Sequence, residues 1–244
     1  MSQIKRVRLI RRADGYYAQF CIDEERLEDC TSTGQVIGLD VGLESFFTDS
    51  NGQKVENPRF LRKSERKLKK LQRRLSRTKV GSSSRKKAQN QLARKHLKLS
   101  RQRKDFAVKQ ARCVSISNDI VVIENLNVKG LLKNHKLAKS ISDASWSIFR
   151  QWLEYFSKVF DKKLIVINPA YTSQDCSSCG ERVKKALSER THICKCGCVL
   201  DRDENASLNI LAKGLNTLGH KEINASGHND LYLISESLLS KSSG

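Results

Sequence analysis

Long apolar runs are missing from this chain of 244 residues. No stretch approaches the roughly 18 consecutive apolar residues that a membrane-spanning helix needs. The opening residues, MSQIKRVRLIRRADGYY, alternate like a β-strand and lack the apolar centre of a secretory signal. We therefore expect no membrane partner and a reducing, cytoplasmic compartment.

Acidic residues are nearly absent from the segment between Arg59 and Arg112. The segment holds 22 Lys and Arg against only Glu65 and Asp105, a net charge of +20, whereas the rest of the chain balances 24 bases (46 − 22) with 24 acids (26 − 2). Charge concentrated in this way is expected of an element that binds a polyanion such as nucleic acid. The segment contains only two aromatic residues, so contacts with phosphates are favoured over base stacking. Because we expect a nucleic-acid partner, we also expect the protein to be associated with the nucleoid.

The same basic segment has the apolar spacing of two helices, interrupted by VGSSS at residues 80–84. The apolar positions are Leu61, Leu68, Leu71 and Leu75 before the break, and Leu92, Leu99, Phe106 and Cys113, seven residues apart, after it. Two long helices joined by a Gly/Ser turn should pack antiparallel through this narrow seam. The alternative, a helical pair whose charges only face solvent, would need balancing acids that the segment lacks.

Short strands are predicted on both sides of the basic segment. Residues 6–23 alternate about an Asp-Gly dipeptide, and residues 36–56 contain three strands, the last two joined at Asn51-Gly52. Farther along, the pattern predicts buried strands within residues 119–126 and 163–169, an aromatic-rich helix at 145–160, a loop at 127–140 and a helix from residue 204. Alternating strands and helices of this kind indicate an α/β fold.

Five of the eight cysteines lie close together near the C-terminal end, which favours a metal site over a disulfide framework. Cys176-x-x-Cys179-Gly is typical of the first knuckle of a zinc ribbon. Cys194-x-Cys196-Gly supplies a second pair. Four thiolates suit a tetrahedral, structural Zn²⁺.

The second cysteine pair has competitors. The run CKCGC also offers Cys198, and His192 lies just outside it. We favour Cys194 and Cys196 because a glycine then follows each of the two pairs.

Three acids form a second candidate site. Asp40 lies in a predicted strand, Glu124 stands toward the end of a later strand, and Asp203 opens the last helix. This arrangement is typical of RNase H-like nucleases. Converging carboxylates repel one another unless divalent ions neutralise them, and oxygen ligands favour Mg²⁺ or Mn²⁺. Two such ions about 4 Å apart would activate water and stabilise the leaving oxygen of a phosphodiester. Asp201 and Glu204 are the nearby alternatives to Asp203.

In its ordered motifs the chain resembles the TnpB/OrfB family, transposon-encoded RNA-guided nucleases with a RuvC-like domain. The matching stretches are GLDVGL (38–43), RQRKDF (101–106), VVIENLNVKG (121–130), YTSQDCSSCG (171–180) and DRDENASLNIL (201–211), and with the segments between them they span about residues 3 to 215.

The resemblance implies a set of roles and partners. The catalytic acids would be Asp40, Glu124 and Asp203, and the structural zinc would be held by Cys176, Cys179, Cys194 and Cys196. The implied partners are a guide RNA from the transposon end and a target DNA beside a short adjacent motif.

We therefore expect an α/β fold with an RNase H-like (RuvC-type) mixed sheet, interrupted by a basic helical hairpin and a zinc ribbon. The expected parts are a remnant of a wedge-like β region at 1–34, nuclease-domain segments at 35–57, 119–170 and 201–218, the hairpin at 58–118, the ribbon at 171–200 and a tail, disordered in part, at 219–244. Family members usually carry a longer region before GLDVGL, so the chain is interpreted as truncated at its N-terminus.

Two functions from different classes follow. The first is a transposon-associated, RNA-guided DNA endonuclease that uses two metal ions. The alternative is a catalytically silent or truncated nucleic-acid-binding remnant, or a DNA-binding regulator of the transposon. The three intact acids favour the first, and the short N-terminal region favours the second. A resolvase without RNA is a weaker third reading, because the ribbon and the helical pair match the transposon family.

Overall fold

The apolar-polar alternation of the first 56 residues produces five strands in two sheets. The computed structural model describes residues 3–186 and 189–218, so the predicted tail at 219–244 lies outside the described residues. The strands are β1 (Ile4–Arg12), β2 (Gly15–Ile22), β3 (Val36–Val41), β4 (Ser45–Asp49) and β5 (Lys54–Glu56). β1 and β2 form the predicted hairpin; its turn residues are Ala13 and Asp14, and Gly15 is the first residue of β2.

The remaining elements alternate as the sequence pattern predicted. They are α1 (Phe60–Arg77), α2 (Ser83–Ser117), β6 (Ile120–Glu124), α3 (Val128–Leu131), α4 (Ala138–Ala144), α5 (Trp146–Val159), β7 (Lys163–Ile167), β8 (Thr191–Ile193), β9 (Val199–Asp201) and α6 (Arg202–Thr217). The predicted loop at 127–140 is wrong in part, because α3 and the start of α4 form within it. Asn127 starts α3 by accepting a hydrogen bond from the Gly130 N–H at 3.0 Å, a local cap that the spacing of apolar residues does not reveal.

The central sheet has five strands in the order β5-β4-β3-β6-β7. β4 pairs antiparallel with β3 and β5, whereas β3, β6 and β7 run parallel. The continuous apolar run of β6 explains its interior position between β3 and β7, because parallel strands are covered on both faces. Val121 and Ile123 pack in one core and Ile120 and Val122 in the other, so the two faces carry separate helices.

Helices cover the two faces of this sheet. On one face, α2 and α5 pack over β3, β4 and β6, and Phe149 of α5 stacks against Phe47 with ring centroids 5.7 Å apart. On the other face, Ile210, Leu211 and Leu215 of α6 pack against β6 and β7. The mixed α/β sheet that the sequence predicted is confirmed.

The basic segment forms the antiparallel helical pair that the leucine spacing predicts. Leu68 of α1 packs against Leu92 and Leu99 of α2 in a core of their own. The seven-residue pattern continues to Phe106, whose ring lies 6.2 Å from that of Phe60 of α1, but it fails at Cys113, which is exposed. From there α2 turns small residues, Ala107 and Ala111, toward the central core instead.

Asp143 of α4 anchors the start of α1. Its carboxylate accepts hydrogen bonds from the Leu61 N–H at 2.9 and 3.0 Å, and it pairs with Arg103 of α2 at 2.8 Å. Arg59, the residue before α1, offers no side-chain cap. The carboxylate therefore satisfies a helix N-terminus that the local sequence leaves open and fixes the helical pair to the sheet domain.

Asp119, just before β6, holds the segment that leads into β3. Burial alone would raise the pKa of this carboxyl. The Lys162 ammonium, the Ser32 hydroxyl and the N–H groups of Thr33 and Gly34 outweigh that effect and lower the pKa of Asp119 from 3.8 to about 2. The Lys162 side chain is only 5% exposed, so this contact is not a freely solvated ion pair.

Replacing Asp119 with asparagine is expected to destabilise the fold by about 1–2 kcal/mol at neutral pH. The folded-state pKa lies below the unfolded value, so the contribution is present above about pH 4 and is lost as the pH falls toward 2. Urea unfolding between about pH 3 and 7 checks this, with the exposed Asp105→Asn as control. A stability gap between wild type and Asp119→Asn that stays constant across this range would contradict the assignment.

None of the described helices is long and apolar enough to cross a membrane.

Candidate active site and metal centre

Two parallel strands place Asp40 and Glu124 at the same edge of the sheet. Asp40 is the last residue but one of β3, and Glu124 is the last residue of β6. The two strands are neighbours, and Leu39 lies opposite Ile123. Asp40 and Glu124 are the next residues of the two strands, so they lie side by side. The first two acids predicted from the sequence are therefore brought together by strand register.

Helix α6 brings the third acid because two glycines let it approach the sheet closely. A Cβ atom at Gly38 of β3 would lie 2.4 Å from the Ser207 carbonyl oxygen, and one at Gly214 of α6 would lie 2.4 Å from Val122. Such contacts cannot be accommodated, so any larger residue at either position would displace the helix. Asp203 stands in the first turn of this closely packed helix.

The electrostatics of Asp40 reflect this convergence. Burial, and then the negative charges of Glu124 and Asp203, raise the pKa of Asp40 well above its usual range. Burial also raises the pKa of Glu124, against the opposing effects of the Thr172 hydroxyl and the Lys213 ammonium. A buried carboxyl whose pKa is raised by neighbouring carboxylates needs a cation beside it if it is to be ionised together with them at neutral pH.

Asp203 is close to positive charge as well as to the other acids. Its carboxylate oxygens lie 3.8 Å from Arg190 and 3.5 Å from Arg202, and its side chain is 15% exposed. Among the described residues, the three acids are not one of the donor sets whose atoms all lie within 4.8 Å of one another. They form a wider cluster of hard oxygen donors, whose chemistry suits Mg²⁺ or Mn²⁺.

The two alternatives to Asp203 have other contacts. Asp201 caps α6, accepting hydrogen bonds from the N–H groups of Asp203 at 3.0 Å and Glu204 at 3.3 Å, and it pairs with Lys54 at 2.7 Å. Burial opposes ionisation of Asp201, but these contacts hold the pKa of its carboxyl below the usual range. The Glu204 carboxylate lies against the β4–β5 turn, where a Cβ at Gly52 would be 3.1 Å from its Oε1.

Thr172 is a site residue that the sequence reasoning missed. Its hydroxyl donates a hydrogen bond to Oε1 of Glu124 and contacts the Pro169 carbonyl oxygen at 3.1 Å. Thr172 is 3% exposed and lies four residues before Cys176, the first cysteine of the predicted zinc ribbon. Nothing in its spacing marks it, because the contact depends on how the chain leaves β7.

Four cysteine sulfurs form a tight cluster beside the acids. The sulfurs of Cys176, Cys179, Cys194 and Cys196 all lie within 4.8 Å of one another. The Cys176–Cys196 and Cys179–Cys194 sulfurs are 3.7 and 3.6 Å apart. Zn–S bonds of about 2.3 Å in a tetrahedron put sulfurs about 3.8 Å apart, so the cluster has the size that zinc requires.

Backbone geometry supports the two knuckles. Gly180 and Gly197, which follow the two cysteine pairs, have positive φ angles of 76° and 89°. Their N–H groups donate to the carbonyl oxygens of Cys176 at 2.8 Å and Cys194 at 3.0 Å. Each turn therefore needs the left-handed conformation that glycine adopts without strain.

A second donor set overlaps the first. Cys176, His192 and Cys198 also have donor atoms within 4.8 Å of one another, and His192 is fully buried. The Lys185 ammonium contacts Nδ1 of this histidine. The set offers three donors rather than four, and it places a cation beside its histidine, so the four-cysteine set fits a Zn²⁺ better.

Replacing Cys196 with serine is expected to release one Zn²⁺ per chain, whereas the neighbouring Cys198→Ser should retain it. Metal binding and folding of such a ribbon are one process, so the loss should also loosen residues 170–203. Metal analysis by mass spectrometry, followed by limited proteolysis, measures both effects. The reverse pattern for the two variants would assign the fourth ligand to Cys198.

Buried asparagines join the cysteine cluster to the acid-bearing helix. Asn205 of α6, which is fully buried, accepts from the Ser177 N–H at 2.9 Å and donates to the Asp175 carbonyl at 2.9 Å. Asn209, one turn later, donates to the carbonyls of Asp175 at 2.6 Å and Thr172 at 2.9 Å. Folding of the first knuckle therefore fixes both α6 and the residue that holds Glu124.

The basic helical pair leaves most of its charge uncompensated. Glu65 pairs with Lys69 and Lys139, and Asp105 pairs with Lys109, so the two acids of the segment are already occupied. Several basic side chains have no ion pair or side-chain hydrogen bond with any other residue that the structure describes. They are Arg62, Lys63, Arg66, Lys67, Lys70, Arg73 and Arg77 on α1, and Lys86, Lys87, Lys95 and Lys98 on α2.

These features define a class of protein, a mixed α/β fold with a four-cysteine cluster beside converging carboxylates. In sequence, the OrfB_IS605 family, described as "Probable transposase", matches residues 19–135, and "Cas12f1-like, TNB domain" matches residues 146–210. The chain belongs to the TnpB/OrfB family, as its motifs predicted.

Curated relatives carry matching names. A Streptomyces pristinaespiralis protein named "Putative RNA-guided DNA endonuclease" is 42% identical over 194 residues, which cover 79% of this chain and 48% of the relative. InsQ of Escherichia coli K12, named in the same way, is 29% identical over 241 residues, covering 92% of this chain and 60% of the relative. The chain thus spans about half the length of these two relatives.

Solved structures share the fold. The cryo-EM structure of a Cas12f1-sgRNA-target DNA complex matches with a TM-score of 0.56 and 19% identity, over 86% of this chain and 45% of that chain. A CRISPR-Cas12f ternary complex matches with the same TM-score and identity, over 84% and 44%. At this identity the similarity establishes the architecture alone.

Proposed function

We propose that the chain is the nuclease part of a transposon-associated, RNA-guided DNA endonuclease, and that Asp40, Glu124 and Asp203 hold its catalytic ions. The observation that carries the proposal is the convergence of the three acids: neighbouring parallel strands place Asp40 beside Glu124, and α6 brings Asp203 close enough to act on the charge of Asp40. Two Mg²⁺ or Mn²⁺ ions bound there would activate water and stabilise the leaving oxygen of a phosphodiester.

The surrounding residues have supporting roles in this proposal. The Thr172 hydroxyl fixes the Glu124 carboxylate, and the Asp201 cap fixes the first turn of α6. Arg190, which also pairs with Glu44 at 2.7 Å, is close enough to Asp203 to contact a DNA phosphate held at the site.

The same proposal covers fold, cofactors and partners. The strand order and directions support an RNase H-like (RuvC-type) sheet, and Cys176, Cys179, Cys194 and Cys196 hold a structural Zn²⁺. The basic helical pair at 58–118 binds the guide RNA from the transposon end, and the sheet edge receives the DNA. We also propose a cytoplasmic, nucleoid-associated location. The proposed domain boundaries are those predicted from the sequence.

The test is a cleavage assay with the full chain, a transposon-end RNA and DNA that carries the matching target. Cleavage should require Mg²⁺ or Mn²⁺ and stop with EDTA. RNA binding without cleavage in any divalent metal would favour the second candidate, a catalytically silent nucleic-acid-binding protein.

A further inference from the structure

Two of the three proposed metal-binding acids have polar partners of their own. The buried Thr172 hydroxyl donates a hydrogen bond to Glu124, and the Arg190 guanidinium lies 3.8 Å from the Asp203 carboxylate. The Asp40 carboxyl accepts no hydrogen bond from any other residue that the structure describes. A carboxylate that binds a metal ion is normally held by an outer hydrogen bond as well. Asp40 therefore lacks the kind of partner that the other two acids have.

Strand register places a hydroxyl beside Asp40. Thr48 of β4 is the residue directly opposite Asp40 in the antiparallel pair of β3 and β4. Side chains of directly opposite residues lie on the same face of a sheet, with Cβ atoms about 4.5–5.5 Å apart. This face lies under α6, because a Cβ at Gly38 of the same strand would be 2.4 Å from the Ser207 carbonyl oxygen. The Thr48 hydroxyl can therefore reach the Asp40 carboxylate.

The Thr48 hydroxyl is buried and unused. Thr48 is 1% exposed, and its Oγ1 has no hydrogen-bond partner among the described residues. A buried hydroxyl without a partner destabilises the fold, so its presence needs an explanation. Valine would fill the same volume in a strand without that cost. The hydroxyl is explained if it gains an acceptor when the acids bind a cation.

We propose that Thr48 is a positioning residue of the metal site, whose hydroxyl donates a hydrogen bond to the Asp40 carboxylate when that carboxylate holds a divalent cation. An ionised carboxylate has about four lone-pair sites, so a group that binds a cation can still accept a hydrogen bond. The hydrogen bond fixes the rotation of the carboxylate, as the Thr172 hydroxyl does for Glu124. The inference rests on the proposed cation site at Asp40, but not on cleavage of DNA by this chain.

The binding test measures Mn²⁺ affinity by electron paramagnetic resonance, with the full zinc-loaded chain and without nucleic acid. The relevant binding is the part that Asp40→Asn removes. Thr48→Val keeps the shape of the side chain, removes the hydroxyl, and should weaken this binding about tenfold or more. Thr48→Ser, which keeps the hydroxyl, should restore most of the affinity. Thr191→Val, the same substitution at an exposed position of β8, should leave the affinity unchanged.

Two further measurements separate a positioning role from a structural one. Without added Mg²⁺ or Mn²⁺, Thr48→Val should unfold at the same urea concentration as the wild type or a higher one, because the hydroxyl has no partner in that state. In the Asp40→Asn background, Thr48→Val should cause no further loss of Mn²⁺ affinity, because the hydroxyl acts through Asp40. A lower urea midpoint together with unchanged Mn²⁺ affinity would make the hydroxyl structural and overturn the proposal.

A cleavage experiment separates this inference from the proposed function. Thr48→Val should raise the Mg²⁺ concentration for half-maximal cleavage about tenfold, and its rate at saturating Mg²⁺ should approach that of the wild type. A wild type that binds Mn²⁺ at Asp40 but cleaves nothing would contradict the proposed function, while the Mn²⁺ titration still decides the role of Thr48. Equal Mn²⁺ affinity in Thr48→Val and the wild type would overturn the inference and leave the nuclease intact. No Mn²⁺ binding that depends on Asp40 would overturn both.

Discussion

Replacing Asp40 with asparagine is expected to reduce Mg²⁺-dependent DNA cleavage by about 10³-fold or more, because the loss of a metal ligand removes several kcal/mol of transition-state stabilisation. RNA affinity should hardly change, since it depends on the distant basic helices. Without metal, the free energy of unfolding of the Asp40→Asn variant should be at least as large as that of the wild type. The substitution keeps the shape of the side chain and replaces a buried carboxyl, which is costly to ionise beside Glu124 and Asp203, with a neutral amide.

The third acid provides a matched pair of variants for the same assay. Asp203→Asn should lose cleavage to the same extent, whereas Glu204→Gln, whose carboxylate lies against the β4–β5 turn, should retain it. Cleavage rates at saturating RNA and DNA measure both. Full cleavage by Asp203→Asn would move the metal-binding role to Asp201 or Glu204.

The second large effect concerns salt. If six to ten of the basic side chains contact phosphates, RNA affinity should fall by about 10³- to 10⁵-fold between about 50 and 200 mM salt. Neutralising Lys63, Lys67 and Lys70, which share one face of α1, should reduce the slope of log affinity against log salt by about one for each phosphate that the variant no longer binds.

A control variant with the same change in net charge tests whether the salt effect is specific to the helical pair. Lys158, Lys163 and Lys195 are exposed residues outside the helical pair, and replacing them with glutamine should leave the slope almost unchanged. The α1 variant should lose affinity for cognate and for scrambled RNA to the same extent, because phosphate contacts carry no base information. Equal slopes for the two triple variants would mean that the charge of α1 faces solvent.

The sequence predicted those parts of the fold that depend on local pattern. The run IVVI in β6 is apolar on both faces, and a strand with this pattern belongs in the interior of an α/β sheet, where helices cover both faces. The Asp-Gly and Asn-Gly turns and the leucine spacing of α1 are equally local. For the same reason the two cysteine pairs, each followed by a glycine, could be identified before their sulfurs were seen together.

Other features depend on contacts between distant segments and could not be predicted in this way. Cys113 continues a seven-residue spacing, yet it is exposed. After Phe106, which still contacts the first residue of α1, helix α2 turns Ala107 and Ala111 to the central core instead. Thr172 reaches Glu124 only through the path of the chain after β7.

The most direct measurement of the central claim is anomalous diffraction from crystals of the full chain soaked with Mn²⁺. The expected result is two Mn²⁺ peaks about 4 Å apart, ligated by Asp40, Glu124 and Asp203, and a separate Zn²⁺ peak among the four cysteines. Mn²⁺ bound only by Asp201 or Glu204, or no Mn²⁺ between β3, β6 and α6 at a saturating concentration, would contradict it.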